Sequence, residues 1–403
     1  MTACSPECLV ARVRKLQDLL ARREIDLAIL HYATDLCYYT GSALPLYLLV
    51  PRRGEPRMLA RKALARIAEE VPHLPLREFT SSKEMAAIFA EAGAGEGGKV
   101  AAEAARVGLT LDTLSYNTVQ RLQPLFPRAE MIDLAWDIRM LRVVKSPEEI
   151  AVMARGGRAM AGLAELIREH FRPGITELEL SAALEYALRR QVNEMLIRCR
   201  REGVEMAGCG VCAAGMNTLA GTKFEGVCGG VGLSSAVPFG VTADPIPPKA
   251  PILIDYGFVL EGYHIDQTRM ACWGEPPAEA RRAFDAMLEV EETIFAALRP
   301  GVPWEEIYRI AVARAAELGF AEGFMGLGGE GVKFVGHGVG LELDEPPILA
   351  PRMPHPLEAG MTLAIEPKAA LPGLGMVGIE DTVVIRADGI ERLTVCPREM
   401  VIV

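Results

Sequence analysis

The sequence predicts an α/β domain over residues 1–140, followed by an α+β domain with two-fold pseudosymmetry over residues 141–403. Three observations support this division. Helix and strand patterns alternate as far as about residue 135, which is typical of an α/β domain. The segment "VVKSPEEIAVM" then carries the features of a new helix start, and beyond it a helix–turn–helix pattern occurs twice. A chain of 403 residues is long enough for two separate cores.

The first domain is expected to open with an amphipathic helix in "LVARVRKLQDLLARREI" and a strand in "DLAIL". "LYLLVPRRGEPRMLA" is typical of a hairpin, whereas "ALARIAEEV" and "EMAAIFAEAG" are typical of helices. The segment "EAGAGEGGKV" is rich in glycine but lacks G-x-G-x-x-G and precedes an apolar strand. It therefore indicates a loop and not a phosphate-binding turn.

The second domain is expected to open at Ser146, which can cap a helix, with Pro147 in the first turn and Glu149 completing a capping box. "RPGITELELSAALEYALRR" begins at Arg172, and the similar "RPGVPWEEIYRIAVARAAE" begins at Arg299. Each segment follows a long amphipathic helix and opens another whose first turn is acidic, as the helix dipole favours. Glycine-rich strand patterns follow both copies, so a pseudosymmetric domain is predicted.

Composition excludes several classes of protein. A net charge of −10 and a pI near 5.3 argue against nucleic acid as the main partner. No apolar run approaches the roughly 20 residues of a membrane span, and the N-terminus lacks the apolar core of a signal peptide. Nine cysteines without framework spacing suit a reducing cytoplasm. Cys209 and Cys212 form a C-x-x-C pair, for which packing in a strand of small residues is favoured over a metal or redox site.

Acidic residues interrupt apolar runs that are typical of buried strands. "ILIDYGFVLEGYHIDQTR", residues 252–269, contains Asp255 and Asp266, "MTLAIEPKA" contains Glu366, and "VGIEDTVVI" contains Glu380. A buried carboxylate without a partner would cost on the order of several kcal/mol, so positive charge must meet it. "VGHGVGLELDEPP" places His337 between two glycines, where the backbone can approach other groups closely.

These carboxylates and one imidazole would repel one another on adjacent strands without cations, and two divalent ions would balance them. Taken singly, each residue has another explanation: an aspartate could pair with Arg269, a glutamate could end a strand, and a histidine could be structural. Together and in this order they favour a site for two divalent metal ions. An oxygen-rich donor set with one imidazole suits Mn²⁺, Co²⁺, Fe²⁺ or Zn²⁺, and affinity order cannot choose among them.

The motifs "IDYGFVLEGYHIDQTR", "GHGVGLELDEPP", "AIEP" and "GIEDTV" resemble, in this order, the metal-ligand blocks of the Xaa-Pro peptidase family. This family includes prolidase, aminopeptidase P, methionine aminopeptidase and creatinase. "LRVVKSPEEIAVM" resembles the entry to its catalytic domain, and residues 10–135 resemble its N-terminal domain, so the likeness covers nearly the whole chain. It implies a creatinase-type α/β domain followed by an α+β catalytic domain with the pita-bread fold.

The resemblance also implies functional roles, beginning with five metal ligands: Asp255, Asp266, His337, Glu366 and Glu380. Asp266 and Glu380 would bridge the two ions, and Glu366 would also be the general base. The implied reaction is hydrolysis of a peptide or small amide by metal-activated water. A homodimer is implied as well, with residues 36–50 forming part of a wall around the partner's site, although an ordinary buried strand pair is as good an explanation of that segment.

The sequence departs from the family at three outer histidines that contact the substrate. The loop "GGVGLSSAVPFGV" has no histidine, and Lys333 and Asp344 stand at the other two positions. Asp344 is a candidate catalytic residue, and His264 and Lys333 are candidates for substrate binding. His264 shares a strand face with Asp266. The alternatives are a loop-capping carboxylate for Asp344, a buried structural histidine for His264, and a solvated or paired lysine for Lys333.

We therefore expect a metal-dependent hydrolase, foremost a peptidase of the Xaa-Pro dipeptidase or aminopeptidase type. One alternative is a non-peptidase enzyme on the same fold, such as another amide hydrolase or a lyase. Dimethylsulfoniopropionate lyases use an aspartate near the ligand histidine as base, and Asp344 makes this conceivable. The other alternative is a non-catalytic binding module, against which the intact ligand set argues.

Overall fold

The computed structural model describes residues 4–81, 84, 88, 105–200, 206, 208–223 and 226–403. The chain forms two compact units, Met1–Arg142 with Arg200–Glu202, and Val143–Cys199 with Gly203–Val403. The position of the boundary between residues 140 and 141 stays a prediction. The helix predicted in "EMAAIFAEAG" lies mostly, and the loop predicted in "EAGAGEGGKV" entirely, outside the described residues.

The first unit is an α/β domain. Its helices are α1 (Pro6–Arg22), α2 (Ala33–Thr40), α3 (Leu64–Glu70), α4 (Tyr116–Leu122) and α5 (Ala135–Leu141). Its strands are β1 (Leu27–Leu30), β2 (Tyr47–Pro51), β3 (Arg57–Ala60), β4 (Leu76–Glu78), β5 (Arg106–Leu109) and β6 (Glu130–Asp133). They form one sheet in the order β4-β3-β2-β1-β5-β6. The predicted hairpin is confirmed, since β2 and β3 pair antiparallel.

The predicted dimer segment, residues 36–50, covers the end of α2 and most of β2. Every residue of β2 is buried, and so are Tyr38 and Tyr39 in α2. Leu49 belongs to the apolar core of this unit together with Leu27 and Val107 from neighbouring strands. This burial favours an ordinary internal strand as the explanation of the segment.

The second unit is an α+β domain. Its helices are α6 (Pro147–Ala159), α7 (Leu163–His170), α8 (Glu177–Arg190), α9 (Ala278–Ala297) and α10 (Trp304–Glu317). Its first strands are β7 (Gly210–Ala214), β8 (Pro251–Leu260), β9 (Tyr263–Cys272), β10 (Gly336–Gly338), β11 (Glu345–Ile348) and β12 (Thr362–Ile365). The later strands are β13 (Lys368–Leu371), β14 (Gly375–Gly378), β15 (Asp381–Arg386), β16 (Gly389–Arg392) and β17 (Val401–Ile402).

The strands of this unit form two larger sheets and a hairpin. One sheet has the order β17-β9-β8-β7 and the other the order β11-β10-β12-β15-β16, while β13 and β14 pair with each other. Cys209 and Cys212 are both buried at β7, and burial raises the pKa of Cys209 to about 12. Small-residue packing in a strand is thus the better explanation of the C-x-x-C pair.

Local sequence explains the helix starts of this unit. Ser146 caps α6, and its side chain and that of Glu149 form the predicted capping box. Each RPG segment lies between two helices, as predicted, because Gly174 and Gly301 turn the chain with φ of 81° and 91°. Left-handed backbone of this kind favours glycine. None of the described helices combines the length and apolar character needed to cross a membrane.

Candidate active site

Two neighbouring antiparallel strands carry the two predicted aspartate ligands. In the β8–β9 pair Asp255 lies opposite Thr268, and Asp266 lies opposite Gly257. Both strands are almost wholly buried, as their apolar composition predicts. The two carboxylates are therefore held at the inner surface of a sheet and not at its solvent edge.

The second sheet carries the other predicted ligands. His337 lies in β10 opposite Ala364 of β12, Glu366 directly follows β12, and Glu380 directly precedes β15. Because β10, β12 and β15 are neighbours in one sheet, these side chains emerge close together. Thr382 of β15 joins this sheet to β9, since its hydroxyl donates to the backbone oxygen of Asp266 at 2.8 Å and accepts from its N–H at 3.0 Å.

The side chains converge on the His337 ring. His337 Nδ1 donates to the Gly338 oxygen at 3.1 Å, which leaves Nε2 directed at the carboxylates. Nε2 lies 3.6 Å from Glu366 Oε1 and 3.9 Å from Asp266 Oδ2. Ligand atoms of Asp266, His337 and Glu380 lie within 4.8 Å of one another. This spacing and donor set suit a divalent cation.

A lysine that the sequence analysis did not select lies inside the cluster. Lys368 is the first residue of β13 and is fully buried. Its Nζ lies 2.7 Å from Glu366 Oε2, 3.1 Å from Glu380 Oε2 and 3.3 Å from Asp255 Oδ2. Through this ammonium Asp255 joins the other predicted ligands, so all five belong to one cluster.

The electrostatics of the cluster show that it needs positive charge. Burial and the neighbouring Asp255 carboxylate raise the pKa of Asp266 to about 7. Burial and Asp266 likewise raise the pKa of Glu380 well above its usual range. Burial alone would also raise the pKa of Asp255, but Lys368 and the Cys228 thiol outweigh it and the pKa is lowered. Asp255 is thus stabilised as an anion by these neighbours, whereas the charged forms of Asp266 and Glu380 are disfavoured.

One unpartnered atom indicates where a metal fits. Glu380 is buried, and its Oε2 accepts from Thr268 at 2.8 Å and from Lys368. Among the described residues Glu380 Oε1 is a buried oxygen without any hydrogen-bond partner. A buried polar atom of this kind is uncommon and calls for a ligand. It belongs to the same group as His337 and Asp266, so these residues fit a divalent ion.

Arg269 does not neutralise the strand aspartates Asp255 and Asp266. Its Nη2 pairs with Asp381 Oδ1 at 2.7 Å, and its Nη1 donates to the backbone oxygen of Glu380 at 2.8 Å. Arg269 and Asp381 are both buried, so this pair is shielded from solvent. The pair fixes the backbone at Glu380, and the alternative explanation of the two aspartates by Arg269 is wrong.

A cavity of about 550 Å³ adjoins the cluster. It is lined in part by Cys228, whose Sγ donates to Asp255 Oδ2 at 3.1 Å, and by Phe334, whose ring centre lies 6.4 Å from that of His337. Of the described residues that line it, Lys223 and Lys333 are charged, and both are cations. The cavity therefore offers room for a small ligand beside the carboxylates.

Comparison with known proteins identifies the family of this chain. The model of metallopeptidase family M24 matches residues 151–387, and that of the creatinase/prolidase N-terminal domain matches residues 12–144. The chain belongs to metallopeptidase family M24. The family resemblance and the predicted order of the two domains are thereby confirmed, and members of this family depend on divalent metal ions.

Relatives of this M24 protein include two Xaa-Pro dipeptidases. The one from Pyrococcus horikoshii is 27% identical over 97% of this chain and 98% of its own. The one from Pyrococcus furiosus is 26% identical over 96% of this chain and 99% of its own. A solved Xaa-Pro dipeptidase from Bacillus anthracis, 22% identical, superposes with a TM-score of 0.80 over 98% of this chain and all of that one (100%). The last comparison shows the shared fold.

Family membership and these relatives confirm the prediction of a peptidase. They do not favour the non-peptidase enzyme or the binding module. The relatives are named as dipeptidases for Xaa-Pro substrates, whereas this M24 chain lacks the outer histidines. Family membership thus confirms the class of enzyme.

The remaining predicted residues lie in different settings. Lys333 is exposed and lines the cavity. Asp344 is partly buried and directly precedes β11. His264 is fully buried, with Nδ1 donating to the Gly340 oxygen at 2.9 Å and Nε2 accepting from the Arg198 N–H at 3.1 Å. This geometry favours a structural role for His264, and the substrate roles of all three residues stay predictions.

Sequence reasoning missed Lys368, although the same criterion could have found it. In "AIEPKAAL" the lysine interrupts a run of apolar residues just as Glu366 does, two positions earlier. Only Pro367 separates the two residues, so the interruption of this apolar run by charge marks both of them. The sequence analysis assigns the positive charge that the carboxylates require to metal alone, whereas Lys368 supplies part of it.

His264 should make the protein sensitive to acid. Burial lowers the pKa of His264 to about 4, below its ordinary value near 6.5 in the unfolded chain. The unfolded chain therefore binds the proton first, and stability is lost as pH falls from about 6.5 to about 4. The shift corresponds to about 3 kcal/mol. In His264→Gln the free energy of unfolding should change less between pH 7 and pH 4, as measured by urea denaturation.

The matched control is His170→Gln, at the partly exposed end of α7. It should keep the wild-type difference between the two pH values. An unchanged pH dependence in His264→Gln would show that His264 is not the acid-sensitive group.

Proposed function

We propose that this M24 protein hydrolyses Xaa-Pro dipeptides or similarly short peptides with the help of divalent metal. The observation that carries the proposal is the convergence of His337, Asp266, Glu366 and Glu380 beside a cavity of about 550 Å³. A cavity of this size suits a ligand as small as a dipeptide. The names of the dipeptidase relatives agree with such a substrate.

The five ligand candidates would hold the metal at the junction of the two sheets. When bound, a divalent ion polarises the amide carbonyl and makes a water acidic enough to attack near neutral pH. Glu366 is the general base in this proposal. It accepts the proton of the attacking water on a carboxylate oxygen and passes it to the leaving nitrogen. Lys368 donates to the other oxygen of Glu366 at 2.7 Å, so the carboxylate is held in one orientation.

The cavity would bind the rest of the substrate. Lys223 and Lys333 supply positive charge to its lining, which suits the carboxylate of a short peptide. Asp344 would contact the substrate in place of an outer histidine of the family. Since the three outer histidines of the family are absent, the substrate contacts would come from other residues of the cavity.

Three further features belong to the proposal. Mn²⁺ is our choice of ion because oxygen donors outnumber the single imidazole. Cytoplasmic localisation rests on the nine cysteines, all of them free thiols in the structure. A homodimer rests on the family resemblance alone.

The substrate proposal is tested with a panel of Xaa-Pro dipeptides, matched Xaa-Ala dipeptides and small amides. Chelator-treated protein reloaded with Mn²⁺ should release proline from the Xaa-Pro members and cleave the Xaa-Ala members at least about tenfold more slowly, a preference worth about 1.4 kcal/mol. Chromatography of the products gives the rates. Preferential cleavage of another group in the panel would contradict the substrate class, and no cleavage at all would contradict the proposal.

Glu366→Gln should lose turnover by about 10²–10⁴-fold, because an amide cannot act as the general base. The kcat for the best dipeptide of the panel is measured together with metal content and circular dichroism. Exposed Glu358, changed to glutamine in the same way, is the control and should keep wild-type kcat. A Glu366→Gln enzyme with near-normal kcat would rule out the assigned base.

Asp344→Ala should lower kcat/KM by on the order of tenfold or more, since a hydrogen bond to a charged group contributes about 1.5–3 kcal/mol. Metal content should stay unchanged because Asp344 is not one of the predicted ligands. Asp388→Ala, in an exposed turn, is the control. If Asp344→Ala lowers only the melting temperature and leaves kinetics intact, Asp344 is a loop cap.

A further inference from the structure

We propose that Lys368 takes the place of one of the two divalent ions expected at this centre, so that each chain binds a single ion on the His337 side. The inference goes beyond the peptidase proposal, because it concerns the number of ions and holds whatever the substrate is. It also replaces our expectation of two ions per chain with one divalent ion and one buried ammonium group.

The first observation is the position of the ammonium. Nζ lies 2.7 Å from Glu366 Oε2, 3.1 Å from Glu380 Oε2 and 3.3 Å from Asp255 Oδ2. These oxygens come from β8, from the end of β12 and from the start of β15. A cation bridging the same three carboxylates would have to occupy the space that Nζ fills. The lysine is thus a substitute for an ion at that position.

The second observation is that Glu366 and Glu380 each direct only one of their two carboxylate oxygens at Lys368. Glu366 directs Oε2 at Lys368, while its Oε1 lies 3.6 Å from His337 Nε2. Glu380 directs Oε2 at Lys368 and Thr268, while its buried Oε1 has no hydrogen-bond partner among the described residues. The cluster therefore has one half already neutralised by the ammonium and one half with ligand atoms that still need a cation.

The third observation is that the fold makes room for the lysine. Lys368 pairs with Gly378 in the β13–β14 hairpin. A Cβ on residue 378 would lie 2.5 Å from Lys368 Cγ and 2.6 Å from the Pro367 oxygen. The Lys368 oxygen also accepts from the Met325 N–H at 2.9 Å. Both the stem and the backbone of this lysine are thus fixed by their neighbours, as expected for a permanent member of the site.

Charge balance agrees with a single ion. Four carboxylates carry four negative charges, of which the ammonium neutralises one and a divalent ion two more. A second ion would give this buried centre a net positive charge and would lie against the ammonium, and both effects oppose its binding.

Metal content decides the proposal. Full-length protein is stripped with chelator, reloaded separately with Mn²⁺ and Zn²⁺, desalted and analysed by plasma mass spectrometry. We expect one ion per wild-type chain and two per Lys368→Met chain, because methionine removes the ammonium but keeps a side chain of similar length. Lys145→Met is the matched control: Lys145 is also buried and pairs with a different carboxylate, Glu345, at 2.5 Å. It should bind one ion.

The melting temperature gives a readout that does not depend on activity. Without metal, Lys368→Met should melt lower than wild type, because its carboxylates have lost their internal cation. Adding Mn²⁺ should raise its melting temperature by more than that of wild type, since two bound ions stabilise more than one. Lys145→Met should melt lower as well, but Mn²⁺ should raise its melting temperature only by the wild-type increment.

Two ions in the wild-type chain, or none, would overturn the proposal. One ion in both wild type and Lys368→Met would also overturn it, because the lysine would then not be what excludes the second. If Lys368→Met fails to fold, anomalous diffraction from Mn²⁺-soaked wild-type crystals still decides. One peak beside His337 supports the proposal, and a second peak beside Asp255 refutes it.

Discussion

The crowding of four carboxylates at one point is the constraint on which this structure depends. Asp266, Glu366 and Glu380 are buried and Asp255 is partly buried, on or beside strands with apolar neighbours, where water stabilises their charge poorly. Isolated buried charges are costly, so such a cluster persists only with positive charge inside it. Lys368 supplies part of that charge, and the unpartnered oxygen of Glu380 shows where more is needed.

The surrounding fold serves to hold these charges at fixed distances. Two sheets meet where Thr382 binds the backbone of Asp266 in both directions, so neither sheet can shift without breaking the other's contacts. The buried Arg269–Asp381 pair fixes the strand start that carries Glu380. Rigid elements of this kind give a catalytic site better-defined geometry than loops can. The lining of the cavity is built largely of loop residues, which suits a surface that must accept different side chains.

Much of this could be predicted from the sequence because the relevant patterns are local. The hairpin at β2 and β3, the capping box at Ser146 and the strands around Asp255 each follow from a short stretch of residues. Spatial partners are not local. Arg269 faces Asp381 and not the strand aspartates, and only the antiparallel register and the crossing of two sheets decide this. The sequence shows Lys368 as a charge within an apolar run, but its distances to three carboxylates from separate strands depend on the complete fold.

The covalent attachment of the ammonium has a consequence for biosynthesis. A free ion must be captured from solution, at a rate set by its concentration, whereas the Lys368 Nζ arrives with the chain itself. As soon as β13 pairs with β14, positive charge is present between Glu366 and Glu380, which flank this hairpin in the sequence. Partial neutralisation thus accompanies assembly of the strands, and the newly made polypeptide can reach its compact state before it meets a metal.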